Sequence, residues 1–446
     1  MARKERLLRL ERWSIKQQGG GARCCYQAVK WSSHGLECSG EYGANDRERK
    51  ALYLAIKRIP ASQSHSRIFP SPRETVLPKL SAAEVEDLPY PPDALFGARD
   101  VATPYGSLRV YEWGPETGEK VLLLHGISTP SIALNGVATE LVKQGRRVML
   151  FDFFGRGYSD APKDLPHDSR LYATQIFLAL QSSPLPWTGE NAFSIVGYSL
   201  GGAVAADFAS WFSDLVSSLV LIAPGGIIRK ANISWRSKLL YNSSSLYTPP
   251  DTGSRTQKSM SRSKISAEHS AQAEAGKLFQ SQSPLSASDS SPGIQGRRGS
   301  MMSDATQLVP GRPNATAANA VNWQLRFHSG FIPSFVSSIL HAPIYECHER
   351  WKELGCRLRE KRAQKLKAAT QRPTRGRQVL ILLGSQDPII LKDELLEDAQ
   401  NTLGTDIFEA VVLEAGHELP ISMPEDVVAA MCRFWGDKAE AMDEMA

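Results

Sequence analysis

The stretch that decides the fold is Phe193–Phe208, FSIVGYSLGGAVAADF. Its first residues are apolar and partly β-branched, which predicts a buried strand, and the small residues at its end predict a helix. Between them lies Gly197-Tyr198-Ser199-Leu200-Gly201, so Ser199 is predicted on a tight strand-to-helix turn that requires its flanking glycines. Such a turn exposes the hydroxyl and directs the N–H of Leu200 toward a negative oxygen beside it. This five-residue pattern also occurs by chance. The prediction that Ser199 is catalytic therefore depends on finding a base, an acid and an oxyanion hole near it.

The composition is that of a globular protein with extensions. The chain has 446 residues, of which 42% are hydrophobic and 22% charged. The net charge of +5 comes from basic residues before residue 17 and between residues 352 and 377, without the interleaved aromatics of a nucleic-acid-binding module. The six cysteines form no Cys-x-x-Cys pair. We therefore predict no nucleic-acid partner, no metal site and no cofactor, and we leave the oligomeric state open.

The N-terminal segment bears on localisation. It has no continuous apolar core of signal-peptide type, and no apolar run in the chain reaches membrane-spanning length. Residues 1–13, MARKERLLRLERW, could form a basic amphipathic helix like that of a mitochondrial presequence, but Glu5 and Glu11 disfavour this because presequences avoid acidic residues. These features predict a cytoplasmic protein without a transmembrane segment, with a mitochondrial location as the alternative.

Apolar runs that alternate with helical segments predict a mostly parallel sheet covered by helices. A hairpin over residues 99–113 precedes the parallel strands, and a capping box over Ser422–Glu425 is predicted to begin the closing helix. The strand-like runs are KVLLL (120–124), RVMLFD (147–152), SLVLI (218–222), QVLILL (378–383) and FEAVVL (408–413). Sheets of this kind carry their functional residues at the carboxyl ends of the strands.

Changes in composition divide the chain into five segments. Residues 242–318 are rich in serine and poor in large apolar residues, so they cannot offset the entropy of ordering and are predicted to be disordered. Apolar residues recur at helical spacing over 322–344, and a charged helix over 345–366 follows; both are predicted to cover the sheet. The predicted segments are a basic, disordered extension (1–68), the first part of the core (69–229), a helical lid containing the disordered insertion (230–375), the second part of the core (376–437) and a tail (438–446).

The base and the acid that Ser199 would need follow two further strands. A serine hydroxyl is a weak nucleophile at neutral pH, so it needs a base and a carboxylate that orients that base. Asp387 follows the strand QVLILL, and His417 follows the strand FEAVVL. The chain order Ser, Asp, His is the order known for a nucleophile elbow on this kind of sheet. We therefore predict that Ser199, Asp387 and His417 form a catalytic triad.

With these residues the chain resembles the α/β-hydrolase fold serine hydrolases, over about residues 99–436. Within that family it is most similar to the lid-bearing hydrolases of carboxylic esters and carbon–carbon bonds. The resemblance implies an α/β fold with a doubly wound sheet and a helical lid inserted between the sixth and seventh core strands. The motifs that carry it are His125-Gly126, Asp152 with Gly155-Arg156-Gly157-Tyr158-Ser159, Gly197-Tyr198-Ser199-Leu200-Gly201, Asp387 and Gly416-His417.

The resemblance also implies an activity and a site. The backbone N–H groups of Ile127 and Leu200 would form the oxyanion hole, and the tyrosine beside the nucleophile, Tyr198, is common in the family. The implied function is hydrolysis of a small-to-medium carboxylic ester, thioester or amide through an acyl-enzyme, with a small-molecule substrate. The alternatives are a carbon–carbon bond hydrolase and a non-catalytic binding or scaffold protein. Predicted to line the substrate pocket are Tyr198, Phe327, Phe331 and Phe335.

Other polar residues are predicted to be structural. Asp152 and Asp160 belong to a turn motif of the family, and His125 is more often a hydrogen-bonded scaffold residue than a base. His328 is predicted to pack or to cap a helix. Some relatives carry the acid after the sixth strand, where this chain has Gly225-Gly226. Relatives that hydrolyse epoxides or haloalkanes use an aspartate nucleophile, and Ser199 disfavours that chemistry.

Overall fold

The computed structural model describes residues 29–32, 35–38, 67–190, 192–230, 306–368 and 378–436. The chain divides into two compact units, Met1–His65 and Ser66–Ala446. In the first unit, β1 (Val29–Ser32) pairs with β2 (Gly35–Cys38) in an antiparallel hairpin. The prediction of disorder for residues 1–68 is therefore wrong for these two strands, whose backbones satisfy each other's hydrogen bonds. The rest of that extension before Arg67, residues 231–305 and the tail lie outside the described residues.

The second unit is built on an eight-stranded sheet whose strand order is β12-β11-β10-β9-β6-β7-β5-β4. From β12 to β7 the strands run parallel, while β5 is antiparallel to both of its neighbours. This confirms the predicted hairpin and the mostly parallel sheet. The strands of this unit are β3 (Ile68–Phe69), β4 (Arg99–Thr103), β5 (Gly106–Trp113), β6 (Lys120–Leu124), β7 (Arg147–Phe151), β8 (Ala161–Pro162), β9 (Phe193–Tyr198), β10 (Val216–Ile222), β11 (Val379–Gly384) and β12 (Phe408–Leu413).

The central strands form the core and bring their carboxyl ends to one edge. All residues of β11 are buried, and so are the last four of β6, because helices cover both faces of the sheet. In the parallel register Leu124 is opposite Gly197, Tyr198 is opposite Ile222, and Gly384 is opposite Leu413. The loops after β6, β9, β11 and β12 therefore begin at the same edge.

Helices flank the sheet on both sides. The described α-helices are α1 (Pro72–Thr75), α2 (Ala82–Glu86), α3 (Asn135–Lys143), α4 (Ser169–Gln181), α5 (Leu200–Trp211), α6 (Ala317–Phe327), α7 (Phe331–His341), α8 (His348–Ala368), α9 (Lys392–Thr402), α10 (Leu419–Ser422) and α11 (Pro424–Trp435). Short 3₁₀ helices span Leu77–Lys79 and Ser131–Leu134. No helix in the described ranges combines the length and the hydrophobicity that a membrane span requires.

Helices α6, α7 and α8 lie between the sixth and seventh strands of the sheet in chain order, β10 and β11. Helix α8, which was predicted as part of the lid, packs against α5 and α9. Its apolar stripe of Trp351, Leu354 and Leu358 is buried in this interface, because a stripe at helical spacing needs an apolar partner and α5 supplies one. Within the described residues, α8 is therefore part of the helical layer beside the sheet, which corrects that part of the lid predicted over residues 230–375.

Residues 306–318 form an ordered turn and the start of α6, so the disorder predicted for 242–318 is wrong at its C-terminal end. The backbone N–H of Leu308 donates to Ala315 O (2.7 Å), and Asn135 Nδ2 donates to Leu308 O (2.8 Å). The side chains of Leu308 and Ala315 are buried. Thr316 then caps α6 by accepting a hydrogen bond from the N–H of Asn319. These contacts order a segment whose composition alone indicates disorder.

The predicted capping box at Ser422–Glu425 is also wrong. Ser422 is the last residue of α10, and its hydroxyl donates to Glu418 O (3.1 Å). Helix α11 begins at Pro424 with Met423 at the N-cap position and without a side-chain cap. The sequence pattern did not predict the helical turn of α10, which contains this serine. The proline in the first turn of α11 is the part of the predicted helix start that the structure retains.

Candidate active site

Ser199 lies between β9 and α5 in a strained backbone conformation, with φ 54° and ψ −114°. Its N–H donates to Ile222 O (3.0 Å), which fixes the turn to the neighbouring strand. A Cβ atom on Gly197 would collide with Gly201 O, and one on Gly201 would collide with Leu124 O. The two glycines are therefore required by the close approach of backbone to backbone, and the surrounding structure holds the serine in its uncommon conformation.

His417 lies between Ser199 and Asp387. Its Nε2 is 3.1 Å from Ser199 Oγ, and its Nδ1 is 2.8 Å from Asp387 Oδ2. The other carboxylate oxygen of Asp387 accepts hydrogen bonds from the N–H groups of Ile389 and Ile390, both at 2.8 Å. The side chains of His417 and Asp387 are 9% and 0% exposed. The three residues thus form a continuous chain of hydrogen bonds in which the carboxylate has only one oxygen directed at the imidazole.

The loops that carry Asp387 and His417 meet because their strands are neighbours and their backbones pack closely. Strands β11 and β12 are parallel and in register up to Gly384 and Leu413. A Cβ atom on Gly384 would lie 2.5 Å from Ala415 O and closer still to Gly416 O. Only glycine permits this approach, which sets the separation between the carboxylate and the imidazole.

The environment of His417 favours its protonated form. Burial is the largest single influence and lowers the pKa of His417, but the hydrogen bond and charge of Asp387, with the charge of Glu418, outweigh it and raise the pKa above its usual value. In the neutral imidazole, a proton on Nδ1 would donate to Asp387 and leave the lone pair of Nε2 facing Ser199 Oγ. This is the arrangement that a general base requires.

The Ile127 loop, residues 125–130, runs beside Ser199. A Cβ atom on Gly126 would lie 3.6 Å from Ser199 Cβ and 3.2 Å from the ring of Tyr198. Leu200 is the first residue of α5, so its N–H has no acceptor within the helix. Neither this N–H nor that of Ile127 donates a hydrogen bond to another residue in the described ranges. Among the described residues, these two backbone donors therefore have no acceptor.

His125 supports the Ile127 loop, and its side chain makes no hydrogen bond to Ser199. Its Nε2 accepts from the N–H of Phe153 (2.9 Å), which leaves Nδ1 to donate to Gly126 O (2.7 Å). Burial, together with the nearby charge of Arg156, lowers the pKa of His125 to about 3, so this imidazole is neutral at physiological pH. These contacts agree with the prediction of a scaffold role.

The other predicted structural residues also bind backbone. Asp152 is buried and accepts hydrogen bonds from the N–H groups of Ser131 and Tyr158, both at 3.0 Å. Asp160 accepts from two backbone N–H groups at 2.7 Å. His328 is buried and its Nε2 lies 2.9 Å from Ser159 O. The predictions that these residues hold turns and pack are confirmed by these contacts.

Of the four predicted pocket residues, one lies against His417 and two pack beside an arginine that contacts the Ile127 loop; of these two, Phe331 is 0% exposed and so presents no surface to a substrate. The ring centroid of Tyr198 is 5.4 Å from that of His417. Phe331 is buried and Phe335 half-buried, and both rings pack against the guanidinium of Arg156, whose Nε donates to Ile127 O (2.6 Å). Phe327 differs, because its side chain is 47% exposed and packs against Trp323 at the end of α6.

Sequence reasoning missed Gln324, which contacts the Ile127 loop from α6. Its Nε2 donates to Ser128 O (3.1 Å), and the residue is fully buried. The available signal was a glutamine on the apolar face of a helix, at helical spacing from Ala317, Ala320 and Val321. A buried amide has to satisfy its own hydrogen bonds, so such a residue indicates a specific polar contact.

The model of the alpha/beta hydrolase fold family matches residues 120–424, which include β6, the elbow at Ser199, and the loops of Asp387 and His417. The chain therefore belongs to this family. Within the described ranges, no three His, Cys, Asp or Glu side chains are grouped closely enough to hold a metal ion.

Individual relatives match over shorter stretches. An uncharacterized protein of Mycobacterium tuberculosis is 34% identical over 145 residues, 31% of this chain and 40% of that protein. A serine hydrolase-like protein of Danio rerio is 34% identical over 125 residues, 28% of this chain and 37% of that protein. The matches thus span less than half the length of these relatives.

Solved structures align over most of the chain at low identity. A putative lipase from Acinetobacter baumannii has a TM-score of 0.48 at 17% identity, covering 77% of this chain and 91% of the lipase. The naproxen esterase of Bacillus subtilis has a TM-score of 0.44 at 16% identity, covering 80% of this chain and all of the esterase (100%).

Proposed function

We propose that the protein is a serine hydrolase that cleaves a small-to-medium carboxylic ester, thioester or amide through an acyl-enzyme. The observation that carries this proposal is the hydrogen-bond chain from Ser199 Oγ through His417 to Asp387, with distances of 3.1 Å and 2.8 Å. The raised pKa of His417 supports it, because a base must gain affinity for the proton that it removes.

In the first half of the reaction, Ser199 Oγ attacks the substrate carbonyl carbon while His417 Nε2 takes the hydroxyl proton. Asp387 stabilises the imidazolium that forms and holds its orientation. The negative oxygen of the tetrahedral intermediate accepts hydrogen bonds from the uncommitted N–H groups of Ile127 and Leu200. In measured systems, loss of one such donor costs about 3 kcal/mol of transition-state stabilisation. The intermediate then collapses, the leaving group takes the proton from His417, and the acyl group remains on Ser199.

In the second half, water replaces the leaving group. His417 Nε2 takes a proton from the water as its oxygen attacks the acyl carbon, and the same two N–H groups bind the second oxyanion. Collapse of this intermediate returns the proton to Ser199 Oγ and releases the carboxylic acid. The acyl group would lie against apolar side chains near Ser199, among them Tyr198, whose ring centroid is 5.4 Å from that of His417.

A fluorophosphonate probe tests the proposal, because it phosphonylates only a serine that is activated as a nucleophile. Purified wild type, Ser199→Ala and His417→Ala would be labelled side by side, with circular dichroism to verify that each is folded. We expect labelling of the wild type, none of Ser199→Ala, and strongly reduced labelling of His417→Ala. A folded wild type that remains unlabelled would overturn the proposal and favour a non-catalytic binding protein.

A further inference from the structure

Gln324 on α6 uses its whole amide group to join two loops. Its Oε1 accepts a hydrogen bond from the N–H of Gly157 (2.8 Å), and its Nε2 donates to Ser128 O (3.1 Å) and to Ala320 O (3.3 Å). The donor and acceptor assignment is fixed by these partners, because a backbone N–H can only donate and a carbonyl can only accept. With 0% of the residue exposed, no water replaces these partners.

One of the two loops, residues 152–160, is held rigidly. Asp152 accepts from the N–H of Tyr158, and the Ser159 hydroxyl donates to Asp152 O (2.6 Å). From the same loop, Arg156 donates to Ile127 O. The N–H of Gly157 therefore belongs to a fixed frame, and Gln324 connects that frame to the loop beside Ser199.

The other loop carries the N–H of Ile127. Within it, the Gly126 carbonyl accepts from His125, the Ile127 carbonyl from Arg156, and the Ser128 carbonyl from Gln324. Because each peptide group is planar, holding a carbonyl also sets the direction of the N–H in the same plane. Three successive peptide planes are thus held: the first, held by His125, contains the Ile127 N–H, and the third, two peptides further along the same loop, is held by Gln324 from α6.

We propose that Gln324 is a positioning residue for the oxyanion hole, which it connects to helix α6. This inference rests on the proposed function, because it requires an oxyanion at the N–H of Ile127. Without the amide of Gln324, the carbonyl of Ser128 loses its buried donor and the Ile127 loop can reorient. Since the oxyanion is absent from the bound substrate and develops in the transition state that leads to each tetrahedral intermediate, the loss affects kcat more than KM.

Gln324→Leu is the first test, because leucine fills similar space and makes none of the three hydrogen bonds. With a p-nitrophenyl ester we expect kcat to fall by up to about 100-fold, as for other small displacements of catalytic groups, while KM changes by less than about twofold. A trifluoromethyl ketone, which forms an oxyanion when Ser199 adds to it, should lose affinity by the same factor as kcat/KM.

Gln324→Glu gives a readout that a purely structural role would not move. A protonated carboxyl can accept from Gly157 and donate to Ser128 O, whereas the ionised form can only accept. Burial raises the pKa of a carboxyl in this position. We therefore expect kcat of the variant, divided by kcat of wild type, to be near one at about pH 5 and to fall as the pH rises. A ratio that does not depend on pH would overturn the inference.

His328→Asn is the matched control. His328 is also buried, directly follows α6 and lies 2.9 Å from Ser159 O, but it makes no hydrogen bond to residues 125–130. If kcat fell equally in this variant, loss of any hydrogen bond between the α6 segment and its neighbouring loops would be enough to lower activity. That result would overturn a specific role of Gln324. Unchanged kcat in Gln324→Leu would do the same. In either case the proposed function stands if the fluorophosphonate probe labels Ser199 of the wild type. A folded wild type that the probe does not label would overturn both the proposed function and the role of Gln324.

Discussion

Two loops at the same edge of the sheet each carry a buried histidine, and the two imidazoles have opposite chemistry. His417, after β12, contacts the carboxylate of Asp387, and the pKa of His417 is raised. His125, after β6, accepts from the backbone N–H of Phe153 and donates to the carbonyl of Gly126, and burial lowers the pKa of His125 to about 3. Burial acts in the same direction on both, so the partner decides which imidazole can accept a proton.

This difference separates the proposed base, His417, from a scaffold residue. His417 has its Nε2 directed at Ser199 Oγ, which suits proton transfer. In His125 both ring nitrogens are committed to backbone, so the residue holds the Ile127 loop and exchanges no proton. Substitutions in the loop of His417 and in the loop of His125 should therefore have different effects on activity.

Replacing the two histidines should give the largest contrast. His417→Ala removes the base and should lower kcat by about 10⁶-fold, as in related triads. His125→Asn removes part of the support of the Ile127 loop and should lower kcat by no more than about 100-fold. Initial rates with a p-nitrophenyl ester measure both. Equal losses in the two folded variants would abolish the distinction between base and scaffold.

The next largest loss of kcat is expected when the carboxylate of Asp387 is replaced. Asp387→Asn keeps the size of the side chain but removes its charge, and it should lower kcat by about 10⁴-fold because the imidazole loses its orienting anion. Since only neutral imidazole accepts a proton, activity falls as the pH drops through the pKa of His417. Asp387 raises that pKa, so its neutralisation should move the acidic limb of the kcat/KM profile to lower pH.

A profile of the residual activity in Asp387→Asn, from about pH 4 to pH 9, would measure that displacement. The control is His125→Asn, whose acidic limb should coincide with that of wild type because His125 is neutral throughout this range. A limb that stays in place in Asp387→Asn, or that moves in His125→Asn, would contradict the roles assigned to the two loops.

A smaller effect is expected from the glycines that set the spacing of each loop. Gly384→Ala would place a Cβ against the backbone carbonyls of Ala415 and Gly416, separating the loops of Asp387 and His417. We expect a loss of kcat of about 100-fold for such a displacement. A Cβ at Gly126 has side-chain atoms as its nearest neighbours, the ring of Tyr198 at 3.2 Å and Ser199 Cβ at 3.6 Å. Gly126→Ala should therefore cost less, because a side chain can shift where a backbone cannot. A larger loss in Gly126→Ala than in Gly384→Ala would contradict this account.

The two loops were predictable from the sequence to different degrees. His125 follows a continuous apolar run, and His417 follows a mostly apolar run that contains Glu409, so their positions near strand ends could be read from the pattern, as could that of Asp387. The contacts of Ser128 with Gln324 and of Ile127 with Arg156 could not, because they join residues distant in the chain through packing that no local pattern records. The sequence therefore indicated the elbow and its partners better than the support of the Ile127 loop.

The helical segment after β10 is a second region whose contacts local sequence patterns did not predict. The apolar stripe of α8 was visible in the sequence, but a stripe does not specify its partner, and α8 packs beside the sheet against α5. Residues 306–318 have a composition typical of disorder, yet hydrogen bonds such as those of Asn135 with Leu308 O and of Arg312 with Asp93, together with two buried apolar side chains, hold this segment. Tertiary contacts override local preference in both cases.

The most direct test of the central claim, that Ser199 with His417 forms an acyl-enzyme, is intact-protein mass spectrometry within the first turnovers on p-nitrophenyl acetate. We predict a transient adduct of one acetyl group, located by peptide mapping on Ser199, that forms in wild type and in His125→Asn but not in Ser199→Ala. An acetyl group found on another residue, or ester turnover undiminished in Ser199→Ala, would contradict the account.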